Sequence, residues 1–255
     1  MQYYGENIEP LPCPTFEEVF ESVENGKVQR GIVPVENSLA GSIHRNYDLL
    51  LRHELSIVGE VQSRVAHNLI ALPSVRLPQL RRVYSHPQAL AQCEENLKQL
   101  LPAVEIVSTY DTAGSVKMLR DQNMLDGAAI ASRRAAEIYQ MTVLREGMED
   151  SSENFTRFLV LAPEPVVPEG PAKTSIVFAT TNVPGALFKC LAVFALRDID
   201  LMKIESRPLK DKRWDYLFYI DFAGSINEAR CRNALNHLQE LTTLFRVLGS
   251  YPRGV

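Results

Sequence analysis

Pro163-Glu164-Pro165-Val166-Val167-Pro168-Glu169-Gly170-Pro171 divides the chain. Its four prolines exclude helix, because each lacks a backbone donor and clashes with the preceding turn, and they starve any strand ladder of donors. An extended linker is expected over 163–172, with a separately patterned unit on either side. Downstream, from 173 to 251, the order reads strand, helix, strand, strand, helix, strand. Ser175–Thr180 is the first strand, Gly185–Leu196 the first helix, and Ile199–Arg207 pairs with Trp214–Phe222 across Lys210-Asp211-Lys212. Ser225 and Glu228 form a capping box for the second helix, and Leu244–Leu248 closes the set. This βαββαβ order is the ferredoxin-like arrangement.

Upstream, over 1–162, short β-rich runs alternate with helical stretches, the pattern of an α/β domain with a largely parallel sheet. Thr15-Phe16-Glu17-Glu18 caps a helix closed by Gly26, and Gly31–Val35 is a buried strand that leaves Glu36-Asn37-Ser38 at its C-terminal end. A helix over Ile43–His53 and extended segments around Ile57–Val61 and Leu69–Leu72 follow. Arg82-Val83-Tyr84 leads into Ser85-His86-Pro87-Gln88, a strand-to-helix turn with Pro87 at the first helical position. Asp111 caps a helix reaching about Gln122, Ser132 caps another, and Phe155–Leu161 is the last strand.

With 255 residues and 45% hydrophobic content, two cores are expected. The 27 basic and 31 acidic side chains intermix, so no basic stripe exists to neutralise nucleic-acid phosphates, and a small-molecule ligand is expected instead. Cys13, Cys93, Cys190 and Cys231 lie too far apart for zinc or thioredoxin-like motifs and read as reduced thiols in a reducing compartment. The five histidines show no metal-ligand spacing. No signal, transit peptide or membrane-length apolar run is read, and no nucleophile elbow, phosphate loop or dinucleotide fingerprint appears. Hydride transfer, phosphoryl transfer and the common hydrolase class are disfavoured.

Glu36-Asn37-Ser38, His86-Pro87-Gln88, Asp111-Thr112 and Ser132 all fall at strand C-termini, where open α/β sheets bind ligands. Together they suggest one pocket, although helix capping alone accounts for Asp111 and for Ser132. Asn154-Phe155-Thr156-Arg157-Phe158 sets a hydroxyl beside a guanidinium at the start of a strand. Arginine binds carboxylates with two parallel hydrogen bonds and a hydroxyl donates to a leaving oxygen, yet an ordinary core strand with an edge arginine has the same pattern.

In order and spacing, Val35-Glu36-Asn37-Ser38, Ser85-His86-Pro87-Gln88, Tyr110-Asp111-Thr112-Ala113, Ala131-Ser132 and Asn154-Phe155-Thr156-Arg157-Phe158 resemble the prephenate dehydratase family. The downstream part is similar to an ACT domain. Its Pro184-Gly185-Ala186-Leu187 and Glu205-Ser206-Arg207-Pro208 resemble the two effector-loop motifs of phenylalanine-regulated dehydratases. The stretches 41–53 and 193–199 look most like the plant and algal branch, commonly arogenate dehydratases of plastids.

The resemblance implies a catalytic domain over 1–162 with the two-lobed fold of type II periplasmic binding proteins, its lobes about 1–72 with 147–162, and 73–146, and the active site in the cleft between them. An ACT domain over 173–251 follows. It implies decarboxylating dehydration of prephenate to phenylpyruvate, of arogenate to phenylalanine, or both, without a cofactor. Thr156 is expected to donate to the leaving oxygen, with Glu36, His86 or Asp111 as acids. Asn37, Ser38, Gln88, Thr112, Ser132, Asn154, Arg157 and Phe158 are expected to bind substrate. L-Phenylalanine is the expected effector, held by Asn182, Gly185, Ala186, Leu187, Glu205, Ser206, Arg207 and Pro208 of a homodimer or homotetramer. The implied location is the plastid stroma for a plant or alga and the cytoplasm for a bacterium. Family members begin with a strand, a Gly-rich turn and a helix. Tyr3-Tyr4-Gly5-Glu6 resembles that helix's end, so a form extended by about 20–25 residues is expected to be more stable and more active. A non-catalytic two-lobed binding protein is the alternative, weighed down by the missing export signal, the Thr-Arg-Phe match and the fused ACT domain.

Overall fold

A computed structural model describes residues 8–208 and 216–254. The elements run α1 (Phe16–Glu24), β1 (Gly31–Asn37), β2 (Gly41–Ser42), α2 (His44–Arg52), β3 (Ser56–Arg64), β4 (Asn68–Ala71) and β5 (Arg82–Ser85). Next come α3 (Pro87–Ala91), α4 (Glu94–Leu100), β6 (Glu105–Ser108), α5 (Thr112–Asp121), β7 (Gly127–Ala131), α6 (Arg133–Tyr139), β8 (Thr142–Arg145) and β9 (Phe155–Ala162). The C-terminal part holds β10 (Ala172–Ala179), α7 (Ala186–Ala195), β11 (Leu201–Pro208), β12 (Tyr216–Ala223), α8 (Ala229–Glu240) and β13 (Leu244–Pro252). The expected turn at 210–212, Trp214 and the Tyr3–Glu6 helix end lie outside the described residues.

Two compact units result: Met1–Ser63 with Thr156–Val255, and Arg64–Phe155. In the first, a sheet of order β2-β1-β9-β3 is covered by α1 and α2. The second sheet of that unit has the order β11-β12-β10-β13, and all its pairings are antiparallel. On one face of it Ile176, Phe178, Ile220 and Phe222 pack against Cys190, Val193 and Phe194 of α7 and Cys231, Ala234 and Leu238 of α8. A βαββαβ sheet carries helices on one face only, so its other apolar face needs a cover. Here Val177, Ala179, Leu217 and Tyr219 share a core with Phe20, Val33, Val35, Tyr47, Leu49 and Leu50. Tyr219 seals the contact, donating from its hydroxyl to the Tyr47 carbonyl at 2.9 Å. The approach is close enough that a Cβ on Gly249 would lie 2.1 Å from the Ile57 carbonyl oxygen, so only glycine fits there.

The second unit holds a sheet of order β6-β5-β7-β4-β8 with apolar clusters on both faces. Three expectations change. Residues 69–71, expected in the first lobe, lie in β4, which pairs with β7 and β8 in the second unit's sheet, and 147–155 also belong to that unit. The first unit further combines the early strands with the C-terminal sheet. The largely parallel sheet expected is not what forms: β5 joins β6 and β7 in parallel, but β4 is antiparallel to its neighbours and β1 is antiparallel to β2 and β9. Finally, α8 begins at Ala229: Glu228 Oε1 accepts the Ser225 N–H at 2.8 Å, but the Ser225 hydroxyl accepts from Asn227 in a preceding turn and caps no helix.

Candidate active site

In the first unit, β1 and β9 pair with Asn37 opposite Thr156 and Glu36 opposite Arg157, so four of the expected site residues adjoin. Asn37 Oδ1 accepts the N–H groups of Leu39 and Ala40 at 3.2 and 2.9 Å, an Asx turn that carries β1 into β2. Two backbone donors on the oxygen fix which way the amide points. Its nitrogen therefore faces Thr156 and donates to Oγ1 at 3.1 Å. A hydroxyl that accepts in this bond keeps its own proton for another acceptor. Ser38 is exposed beside the turn, and Phe158, half-buried, pairs with Pro34.

Arg157, expected to hold a substrate carboxylate, is committed elsewhere. Its Nε donates to Glu60 Oε2 at 2.8 Å, its Nη2 to Asp221 Oδ2 at 2.6 Å, and the side chain is 12% exposed. Lys173 Nζ reaches the same Glu60, giving two buried cations balanced by two carboxylates. Burial opposes the charge on Arg157, but the carboxylates of Asp221 and Glu60 outweigh it and raise the guanidinium above its ordinary value. Burial would likewise raise the Glu60 carboxyl, yet the Lys173 hydrogen bond and the charges of Arg157 and Lys173 hold it below the usual range. Burial keeps the Tyr251 phenol neutral. Since Ser175 donates to Asp221 at 2.5 Å, the 2.7 Å Tyr251–Ser175 contact runs from the phenol to Ser175. Glu36 is also engaged: Lys203 Nζ donates to its Oε2 at 2.8 Å. Glu60, Lys173, Lys203, Asp221 and Tyr251 were not among the expected site residues.

In the second unit the parallel strands β6, β5 and β7 end at one edge, and each is followed by a helix capped by an expected site residue. His86 Nδ1 accepts the Gln88 N–H at 3.2 Å, so Nδ1 is unprotonated and Nε2 carries the ring hydrogen. Both Asp111 oxygens serve as caps, accepting from Ala113 at 3.0 Å and Gly114 at 2.8 Å. Ser132 accepts from Ala135 at 3.3 Å. Thr112 opens α5, half-buried. Helix N-termini gathered at one sheet edge favour carboxylates. Asn68, buried at the same edge and not expected from the sequence, donates to the Ala131 carbonyl at 3.3 Å. Asn154 is fully buried, its carbonyl accepting from Val65 at 2.8 Å.

The expected effector residues divide. A cavity of about 380 Å³ is lined by Thr180, Asn182, Val183, Gly185, Ala186, Leu187, Phe188, Tyr216 and Phe218. Of the second motif, Glu205 accepts from Ser42 of β2 and Arg207 donates to Asp48 of α2. Strand alternation puts Ser206 and Pro208 on the opposite face, paired in register with Phe218 and Tyr216 of the cavity wall. Among the described residues no cluster of three or more His, Cys, Asp or Glu is placed to hold a metal ion, and no helix is long and apolar enough to cross a membrane.

Two α/β sheets followed by an antiparallel sheet of the ACT kind define the class of protein. The prephenate dehydratase family profile matches residues 1–166. Arogenate dehydratase/prephenate dehydratase 2, chloroplastic, of Arabidopsis thaliana is 52% identical over 257 residues, covering 96% of this chain and 67% of that protein. A prephenate dehydratase of Arthrobacter aurescens, solved in complex with L-Phe, superposes with a TM-score of 0.87 at 32% identity, over 95% of this chain and 81% of that one. The structure of GqqA, described as a novel type of quorum quenching acylases, superposes with a TM-score of 0.88 at 32% identity, over 95% and 89%. This chain belongs to the prephenate dehydratase family. It spans about two thirds of the length of the curated relatives it matches.

Proposed function

We propose that the protein is a decarboxylating dehydratase of phenylalanine synthesis, acting on prephenate, arogenate or both. In this reaction the bond to the ring carboxylate breaks, releasing carbon dioxide and sending its electron pair into the ring, and the C4–O bond breaks with its pair on the hydroxyl oxygen, which takes a proton and leaves as water. Aromatisation drives the step, so the protein must orient the substrate and donate to the departing oxygen. The orientation of Thr156 carries the reading: Asn37 donates to its oxygen, leaving the hydroxyl proton available to a leaving group. Glu36 and Arg157 serve in this reading as the charged frame of that pair. An acylase, the activity ascribed to GqqA, needs a nucleophile relieved of its proton by a base, whereas Thr156 receives a hydrogen bond from an amide.

L-Phenylalanine, bound by the Arthrobacter relative, is the proposed effector. The cavity at the start of α7 has the volume and apolar lining for an aromatic amino acid, with Asn182 and backbone donors beside Gly185 for its polar end. A second copy of the chain, in a homodimer or homotetramer, would extend the edge of β11 that carries Ser206 and Pro208 and has no further strand beside it among the described residues. Chloroplastic relatives support the plastid as its setting.

Incubating the chain with arogenate and with prephenate, following phenylalanine in the first and phenylpyruvate absorbance in alkali in the second, tests the reading. Turnover of at least one substrate is expected. Binding of both without product would favour the receptor alternative.

A further inference from the structure

The hairpin that orients Thr156 is gripped by a strand far along the chain. β1 and β2 pair with Glu36 opposite Ser42 and Asn37 opposite Gly41, and each arm offers one side chain to β11. On the Glu36 arm Lys203 Nζ donates to Oε2 at 2.8 Å, and on the other it reaches Ser42 Oγ at 3.3 Å. The Ser42 hydroxyl then donates to Glu205 Oε2 at 2.6 Å. Lys203 is 11% exposed, with its ammonium 5.4 Å from the centre of the Tyr47 ring, so its charge is weakly screened and its stem is held by packing. Its Glu36 partner immediately precedes Asn37, the residue that directs the Thr156 hydroxyl.

We propose that Lys203 is a positioning residue for the dehydration: by bridging Glu36 and Ser42 it locks the hairpin whose Asn37 amide aims the Thr156 proton. The inference rests on the dehydratase reading. Lys203 itself touches neither Thr156 nor, in the proposed mechanism, the substrate. A donor aimed by a locked hairpin acts mainly in the transition state, so loosening the lock lowers kcat more than it raises KM.

The test compares wild type, Lys203→Met, Lys203→Arg, Thr156→Ala and the Thr156→Ala/Lys203→Met double variant, all in the full chain, with melting temperature recorded for each. Lys203→Met is expected to lower kcat about tenfold with KM changed by less than about twofold, and Lys203→Arg to restore most of the loss. In the Thr156→Ala background, Lys203→Met is expected to change kcat by less than about twofold, because the group it positions is gone. Lys203→Gln, which keeps a donor on a shorter stem, replaces Lys203→Met if that variant does not fold, with the same expected direction. The inference is overturned by a folded Lys203→Met or Lys203→Gln variant with wild-type kcat, by an equal loss in the Thr156→Ala background, or by a loss that Lys203→Arg fails to relieve. Absence of turnover in the wild type would instead sink the dehydratase reading itself.

Discussion

Glu60 is 1% exposed and fully used: its two oxygens accept from Arg157, from Lys173 and from the Gly254 backbone N–H. Such a group is costly to bury and costlier to neutralise, because its partners then become unpaired buried cations. Glu60→Gln is expected to cost about 3–5 kcal/mol in urea unfolding at neutral pH. The pH dependence follows from the same contacts. A carboxyl held below its unfolded value contributes stability that is present above the ordinary carboxylate range and is lost as the pH falls through the lower, folded value. Wild type should therefore lose stability on acidification below pH about 4, and Glu60→Gln should flatten that part of the profile. An unchanged profile would show that other carboxylates set the acid limit.

At the scale of elements, the start of α7 is the most exposed to test. Gly185 caps that helix at φ +80°, and a Cβ there would meet nothing within 4 Å, so the obstacle to larger residues is the backbone conformation and not crowding. Gly185→Val adds roughly 1–2 kcal/mol of local strain and bulk at the cavity mouth. It is expected to weaken the phenylalanine response by about tenfold or more while leaving basal kcat within about twofold. A full response in titrations of turnover with phenylalanine would dissociate this cavity from regulation. Four of the helix starts were legible in the sequence because caps are local: Thr15, His86-Pro87, Asp111 and Ser132 each declare themselves within four residues. Sheet membership was not. Asn68–Ala71 is buried throughout, and such a run reads the same whichever sheet receives it. The charge frame escaped for a related reason, since Lys173 and Glu60 stand 113 positions apart and Arg157 and Asp221 stand 64 apart. The one signal was Asp221 itself, a carboxylate inside the apolar strand Tyr216–Ala223.

Over the whole molecule, the family could be read from short motifs because their chemistry is confined to strand ends and turns, which local sequence specifies. What required the fold was the sharing of one compact unit by the early strands and the C-terminal sheet, through which Asp221, Lys173 and Lys203 become neighbours of Arg157, Glu60 and Glu36. The proposed mechanism nevertheless stands on one hydroxyl. Steady-state kinetics of wild type and Thr156→Ala on both arogenate and prephenate test it most directly. The expected result is a fall in kcat of about 10²-fold or more on every substrate the wild type turns over, with KM changed only a few-fold. A folded Thr156→Ala variant with wild-type kcat would contradict it.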